Sequence, residues 1–260
     1  MPKNVGPGTI AASLAVLVAF LAAWQWLPAL ANVPAFILPP PSQVWSEFLR
    51  MSATEGLWYH SAITAAEVIA GFVLGSLLGI VIGFVLGMAP RMELVLSPYI
   101  LALQIAPKVA FAPLFVMWFG FTVYPKILVA VLIVFFPVMV NVLTAVRTVD
   151  PDLINLARSF SASRLQIFRM IEYPASLAPL FSGLRIAATL AVIGVVVGEL
   201  VGGNLGLGYL LTYGQGLGNT AMVFVTIIML TLIGIVAYVA VAFVERRVLH
   251  YMPRAQHIAV

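Results

Sequence analysis

The sequence predicts an all-α, polytopic membrane protein with six transmembrane helices. Three observations lead there. Of the 260 residues, 63% are hydrophobic and only 8% charged, with a mean hydropathy of +1.11, well beyond the apolar share of a water-soluble domain. The apolar residues fall into runs of roughly 20, the length that crosses a hydrocarbon core as a helix. Lys and Arg collect in alternate connections between those runs, the asymmetry that orients membrane proteins. That asymmetry also accounts for the net charge of +4 without a nucleic-acid partner, and the absence of cysteine excludes disulfides.

The first span is expected at 9–31. Ala29-Leu30-Ala31 resembles a signal-peptidase site, but a signal peptide has an apolar region of about 7–15 residues. This run is longer and is read as a retained helix. With the amino terminus inside, the inner segments hold Lys3, Arg91, Arg147, Arg158, Arg164, Arg169, Arg246, Arg247 and Arg254. The outer segments hold only Arg50 and Lys126, while Lys108 and Arg185 fall within or at the edge of spans. Both termini are therefore expected in the cytoplasm. Residues 32–60 form an outer loop whose proline-rich start, VPAFILPPPSQVW, forbids a regular helix. Ser42 is then placed to cap a short interfacial helix, with Val44, Trp45, Phe48 and Leu49 on one side and Trp45, Trp58 and Tyr59 at headgroup depth.

The second span, 61–88, carries Gly71, Gly75, Gly79, Gly83 and Gly87, an unbroken spacing of four that lets another helix backbone approach closely. The third, 97–120, contains Pro98, Pro107 and Pro113 around Lys108. Interrupted membrane helices are tolerated where protein or a water-filled cavity satisfies the freed backbone, so this span is the candidate pathway lining. A fourth span, 126–146, is followed by a connection at 147–178 with a cationic, helical island at its centre. The fifth and sixth spans are 179–201 and 222–244. Between them the glycine-rich segment 202–218 reads as flexible or re-entrant backbone, since it lacks the third glycine of a dinucleotide fingerprint.

Catalytic chemistry is missing. No Lys precedes Ser or Thr as in a phosphate-binding loop, there is no HExxH or GxSxG motif, and no two carboxylates share a span. His60, His250 and His257 are far apart in sequence, so no metal site is expected. The chain is read as a non-enzyme, a single transmembrane domain over 1–260, whose energy source is another polypeptide.

The island resembles the EAA loop of bacterial ABC-importer permeases, E-A-A-x3-G-x9-I-x-L-P. Asn155, Leu156 and Ala157 stand at the E-A-A places, Ser161 at the glycine, and Ile171, Tyr173 and Pro174 at the closing positions. Glycine permits a left-handed turn that serine resists, so either this turn is not left-handed or a docked partner holds the strain. The stretches ILPPPSQVW, GFVLGSLLGIVIGFVLG, ALQIAPKVAFAPLFVMWFG and GLRIAATLAVIGVVVGELVGGNLGLGYLL extend the likeness. They resemble the branch that includes nitrate, sulfonate, taurine and thiamine-pyrimidine or similar heterocycle permeases.

The resemblance implies a type I ABC-importer permease in the bacterial inner membrane. Its implied partners are a second permease copy, a cytoplasmic ATPase dimer that binds ATP and Mg, and an extracytoplasmic binding protein. It further implies a coupling helix, with Ala162 and Ser163 at the ATPase contact, Leu165 and Phe168 as apolar anchors, and Arg158 and Arg164 reaching the rim. Gln104, Lys108, Trp118, Asn141, Glu67 and Glu199 are the pathway candidates. Lys108 either attracts an anion or pairs with a backbone carbonyl or a carboxylate such as Glu199. Glu67 stands where sulfonate-type members commonly show arginine, which favours small heterocyclic or aromatic nutrients. The rival reading is an ion-coupled secondary transporter using Glu67 or Glu199 as carrier.

Overall fold

A computed structural model describes residues 7–250 as α-helices joined by short connections. Five helices are long and apolar enough to cross a membrane: α1 (Pro7–Leu30), α3 (Leu57–Met88), α6 (Val123–Arg147), α9 (Tyr173–Gly202) and α11 (Thr220–Val248). The sixth crossing is broken. Helix α4 (Pro90–Ile105) meets a 3₁₀ turn and α5 (Ala112–Phe119) at a bend of 79°. The expected prolines divide the work. Pro98 lies inside α4, Pro107 sits at the bend, and Pro113 takes the first turn of α5, where a missing N–H costs nothing.

The glycine row decides the centre of the bundle, and its partner helix belongs to the same chain. A Cβ on Gly71 would lie 2.5 Å from Ala130 Cβ, and one on Gly75 would lie 2.9 Å from Val134 Cβ. Gly79, Gly83 and Gly87 meet Val138, Val142 and Val146 in the same way. The constant offset makes α3 and α6 parallel, in van der Waals contact along five turns. From the other side α9 runs antiparallel to α6, with Gly194 against Ala130 and Gly198 against Lys126. Small residues thus replace the hydrophobic driving force that lipid removes. Helix α11 packs outside this triplet, whereas the hydrophobic stretch of α1 is unburied.

Three expectations are corrected. Ser42 does not cap the interfacial helix α2 (Pro41–Thr54): Pro40 precedes it, and Ser42 exchanges hydrogen bonds with Gln25 of α1. Val44 and Met51 of α2 face the bundle, while Trp45 and Leu49 point outward. Residues 202–218 are not loose backbone but hold α10 (Leu207–Gly216), with Leu207 and Leu210 buried. Lys126, in the first turn of α6, is buried beside Glu67.

Candidate functional site

Three regions carry the residues that chemistry singles out. The first lies at the basic end of the bundle. Helix α7 (Pro151–Ser159) starts on Asp150, whose Oδ1 accepts from the Asp152 N–H at 2.9 Å. It ends in a paired closure, with Ser161 N–H donating to Arg158 O at 2.8 Å and Ala162 N–H to Ala157 O at 3.1 Å. That closure places the residue after the cap in the left-handed region. Ser161 occupies it with φ 59°. The turn is left-handed, and the chain's own hydrogen bonds hold the strain of about 1–2 kcal/mol. The short helix α8 (Arg164–Ile167) opens with a reciprocal cap between Ser163 and Gln166. A π-turn, Phe168–Glu172, leads directly into α9, with Pro174 in its first turn.

Phe168 is not an outward anchor. The π-turn continues into α9, so Phe168, Glu172 and Ser176 fall on that helix's bundle-facing side. Phe168 packs edge-on against Phe84 at 5.4 Å and near Tyr173 at 6.1 Å. Arg164, although exposed, reaches α3, donating to Met88 O at 2.7 Å and closing its carboxyl end. The loop also leaves exposed Asn155, Leu156, Arg158, Ser163, Leu165, Met170 and Phe160, the last 80% exposed. Sequence reasoning missed Phe160. Its signal was an aromatic ring immediately before the left-handed turn, where nothing in the loop can cover it.

The second region is the broken span. Lys108 donates to Gln104 O at 2.6 Å, a carbonyl left open by the end of α4, and its ammonium lies 5.0 Å from the centre of the Phe136 ring. Of the pairings considered for Lys108, the backbone carbonyl is the one formed, and Glu199 is not its partner. A cavity of about 220 Å³ opens beside Phe136, between α3, α4 and α6, with Tyr99, Leu103 and Phe135 on its walls. Trp118 is exposed on α5 next to Phe115. Asn141 packs between α6 and α9 against Gly183 and donates to Pro137 O. The span therefore gathers Gln104 and Lys108, and Asn141 belongs to a helix seam.

The third region is a buried polar cluster at the opposite end. The first N–H groups of α10 each meet a side chain: Gly206 donates to His60 Nδ1 at 3.0 Å, Leu207 to Thr64 Oγ1 at 2.8 Å, and Gly208 to Glu199 Oε2 at 2.6 Å. Thr64 in turn donates to Glu199 Oε1 at 2.7 Å. Lys126 donates to Glu67 Oε1 at 2.8 Å and to Leu205 O at 3.1 Å. A carboxylate at a helix N-terminus satisfies open donors and opposes the helix dipole, so Glu199 is the cap of α10. Glu67 and Glu199 were expected on the pathway, but they lie in this cluster because buried charges need partners.

The assembled fold has solved relatives. The inward-facing methionine ABC transporter MetNI superposes with a TM-score of 0.58 at 19% identity, over 77% of this chain and 95% of that one. Residues 71–250 match the family described as binding-protein-dependent transport system inner membrane component. The chain belongs to this family. The permease is 41% identical over 230 residues to the riboflavin transport system permease protein RibX of Chloroflexus aurantiacus, covering 88% of this chain and 86% of that protein. It is 33% identical over 231 residues to the putative aliphatic sulfonates transport permease protein SsuC of Bacillus subtilis, covering 89% and 84%. It is the membrane component of an ABC importer of small nutrients or anions, with a type I permease fold. It is not an enzyme, and ATP hydrolysis belongs to partner subunits. Ion-coupled secondary transport is set aside by this membership.

Proposed function

We propose that the permease, as a homodimer, passes a small heterocyclic or aromatic nutrient from an extracytoplasmic binding protein to the cytoplasm. Residues 1–260 act as one transmembrane domain with both termini cytoplasmic, and an ATPase dimer grips the 147–178 loop. The observation that carries this reading is the capped α7–α8 hairpin: apolar Phe160 and Leu165 face out while Arg164 and Phe168 fasten it to α3. An exposed apolar pair on a tied-down loop suits a protein partner, with Arg158 supplying a forked donor at the rim. Because α3 is locked to α6 along the glycine row, movement of the hairpin passes to a rigid helix pair instead of dissipating in the loop. Gln104 and Lys108, at the bend, line the route between copies. The greater identity to the riboflavin permease than to the sulfonate one, together with Glu67 held inside the bundle, favours a heterocycle over an anion.

Gentle-detergent purification of the tagged chain, with partners identified and counted by mass spectrometry, tests the assembly. A stoichiometric P-loop ATPase and two permease copies are expected. A chain that emerges alone even after crosslinking refutes the coupling role.

A further inference from the structure

Between α9 and α11 runs an apolar groove of about 510 Å³. Val192, Ile193 and Val196 form one wall, and Ile227, Ile235 and Tyr238 the other. Ile193 and Ile235 are half exposed, so the groove opens sideways from the bundle. Two hydroxyls line it, but Thr189 donates to Ile186 O and Thr231 to Ile227 O, each at 2.8 Å. The walls therefore offer a polar nutrient nothing to bond, and the groove lies off the transport route. They suit another helix no better. Neither wall carries small residues at a spacing of four, the pattern that brings α3 and α6 together.

The end of the groove toward the basic face of the bundle is charged. One turn before Thr189, Arg185 meets Glu245 of α11, Nε to Oε2 at 3.2 Å, and its guanidinium lies 5.9 Å from the centre of the Tyr238 ring. Arg246 follows Ile235 by eleven residues, about three turns, so it continues that wall and is exposed there. Two arginines and one glutamate leave one positive charge at this end. Val197, the last lining residue on α9, stands twelve residues beyond Arg185, about 18 Å along the axis. The hydrocarbon of one leaflet is about 15 Å deep.

An apolar groove one leaflet long, with a cation at its headgroup end, fits a lipid. We propose that it binds an anionic phospholipid of the leaflet at the basic end, with the phosphate on Arg185 and Arg246 and one acyl chain between α9 and α11. The forked donors of arginine match phosphate oxygens. A zwitterionic headgroup would bring an ammonium against the same arginines. The site rests on the groove and its charged end and stands apart from the choice of nutrient.

The test takes the full-length permease, in the complex in which it purifies, from phosphatidylcholine nanodiscs with a graded minor share of phosphatidylglycerol. Native mass spectrometry counts the lipid retained. The wild type is expected to keep one phosphatidylglycerol per permease copy. Arg246→Gln is expected to weaken that binding about fivefold. Arg247→Gln is expected to leave it unchanged, because that guanidinium lies over Phe243 at 4.8 Å. Gly234→Leu is expected to expel the lipid: a Cβ there meets only Val192 at 3.8 Å, so the added side chain enters the groove. Equal retention of both lipids by the wild type overturns the proposal. Equal weakening by Arg246→Gln and Arg247→Gln overturns it too, since that marks a diffuse basic surface. So does a folded Gly234→Leu protein that keeps its phosphatidylglycerol, and if it parts instead from a second permease copy, the groove belongs to that copy.

Discussion

Ser161 shows how one side chain tunes the α7–α8 hairpin. It sits at φ 59° at the point where the α7 closure needs a left-handed residue. Ser161→Gly should therefore stabilise the hairpin by about 1 kcal/mol and slow its limited proteolysis, while Ser161→Val should speed cleavage. The requirement was legible because the resemblance to the EAA loop set Ser161 on a glycine position; whether the turn met it depended on two backbone hydrogen bonds that no motif records. Phe168 and Phe160 make the complementary pair. Phe168→Ala empties a ring site against Phe84 and should cost about 3 kcal/mol of fold stability, read as a lower thermal midpoint. Phe160→Ala should leave that midpoint within about 0.5 kcal/mol of wild type. The direction of each ring was not legible, because it is set by where the π-turn joins α9. The burial of Lys126 was not legible for a similar reason: the carboxylate it pairs with stands 59 residues away.

At the scale of elements, the row of five glycines announced a close helix pair, but spacing could not say which helix approached. Gly79 faces Phe135 O at 2.8 Å from a built Cβ, so backbone would have to move to admit a side chain. Gly79→Leu should cost about 3 kcal/mol or more and lower the yield of folded protein from the membrane, since overpacking of this seam has no flexible neighbour to absorb it. Helix α10 was hidden because the groups that cap it, His60, Thr64 and Glu199, come from α3 and α9. Helix α2 is clasped to α11 by Glu47, which accepts from Arg50 at 2.6 Å and from Asn219 at 2.8 Å. The hydrogen bond from Arg50 holds the Glu47 carboxyl below its ordinary range, against the opposing effect of burial. A depressed folded pKa stabilises above the unfolded value of about 4.3 and loses that stabilisation as pH falls through the folded value. Acid titration should thus loosen α2 below about pH 4, reported by Trp45 fluorescence, and Glu47→Gln should abolish the step.

For the molecule as a whole, six crossings and an interrupted third span followed from apolar run length and proline content, while the placing of the bend at Pro107, not Pro98 or Pro113, came from the structure. What sequence could not show is that the hairpin, α3, α6 and α9 form one continuous line of contacts, from Arg164 at Met88 through the glycine seam to the cluster under α10. On the proposed reading the ATPase acts on the outward face of the hairpin, and that proposal can be isolated. Phe160 and Leu165 are both exposed and support no packing inside the bundle. The decisive measurement is uptake with ATP hydrolysis in proteoliposomes holding the complete transporter, comparing wild type with Phe160→Asp plus Leu165→Asp. The double variant should keep the wild-type thermal midpoint, lose its hold on the ATPase and lose uptake at least tenfold. Wild-type uptake with the ATPase still bound would contradict the account.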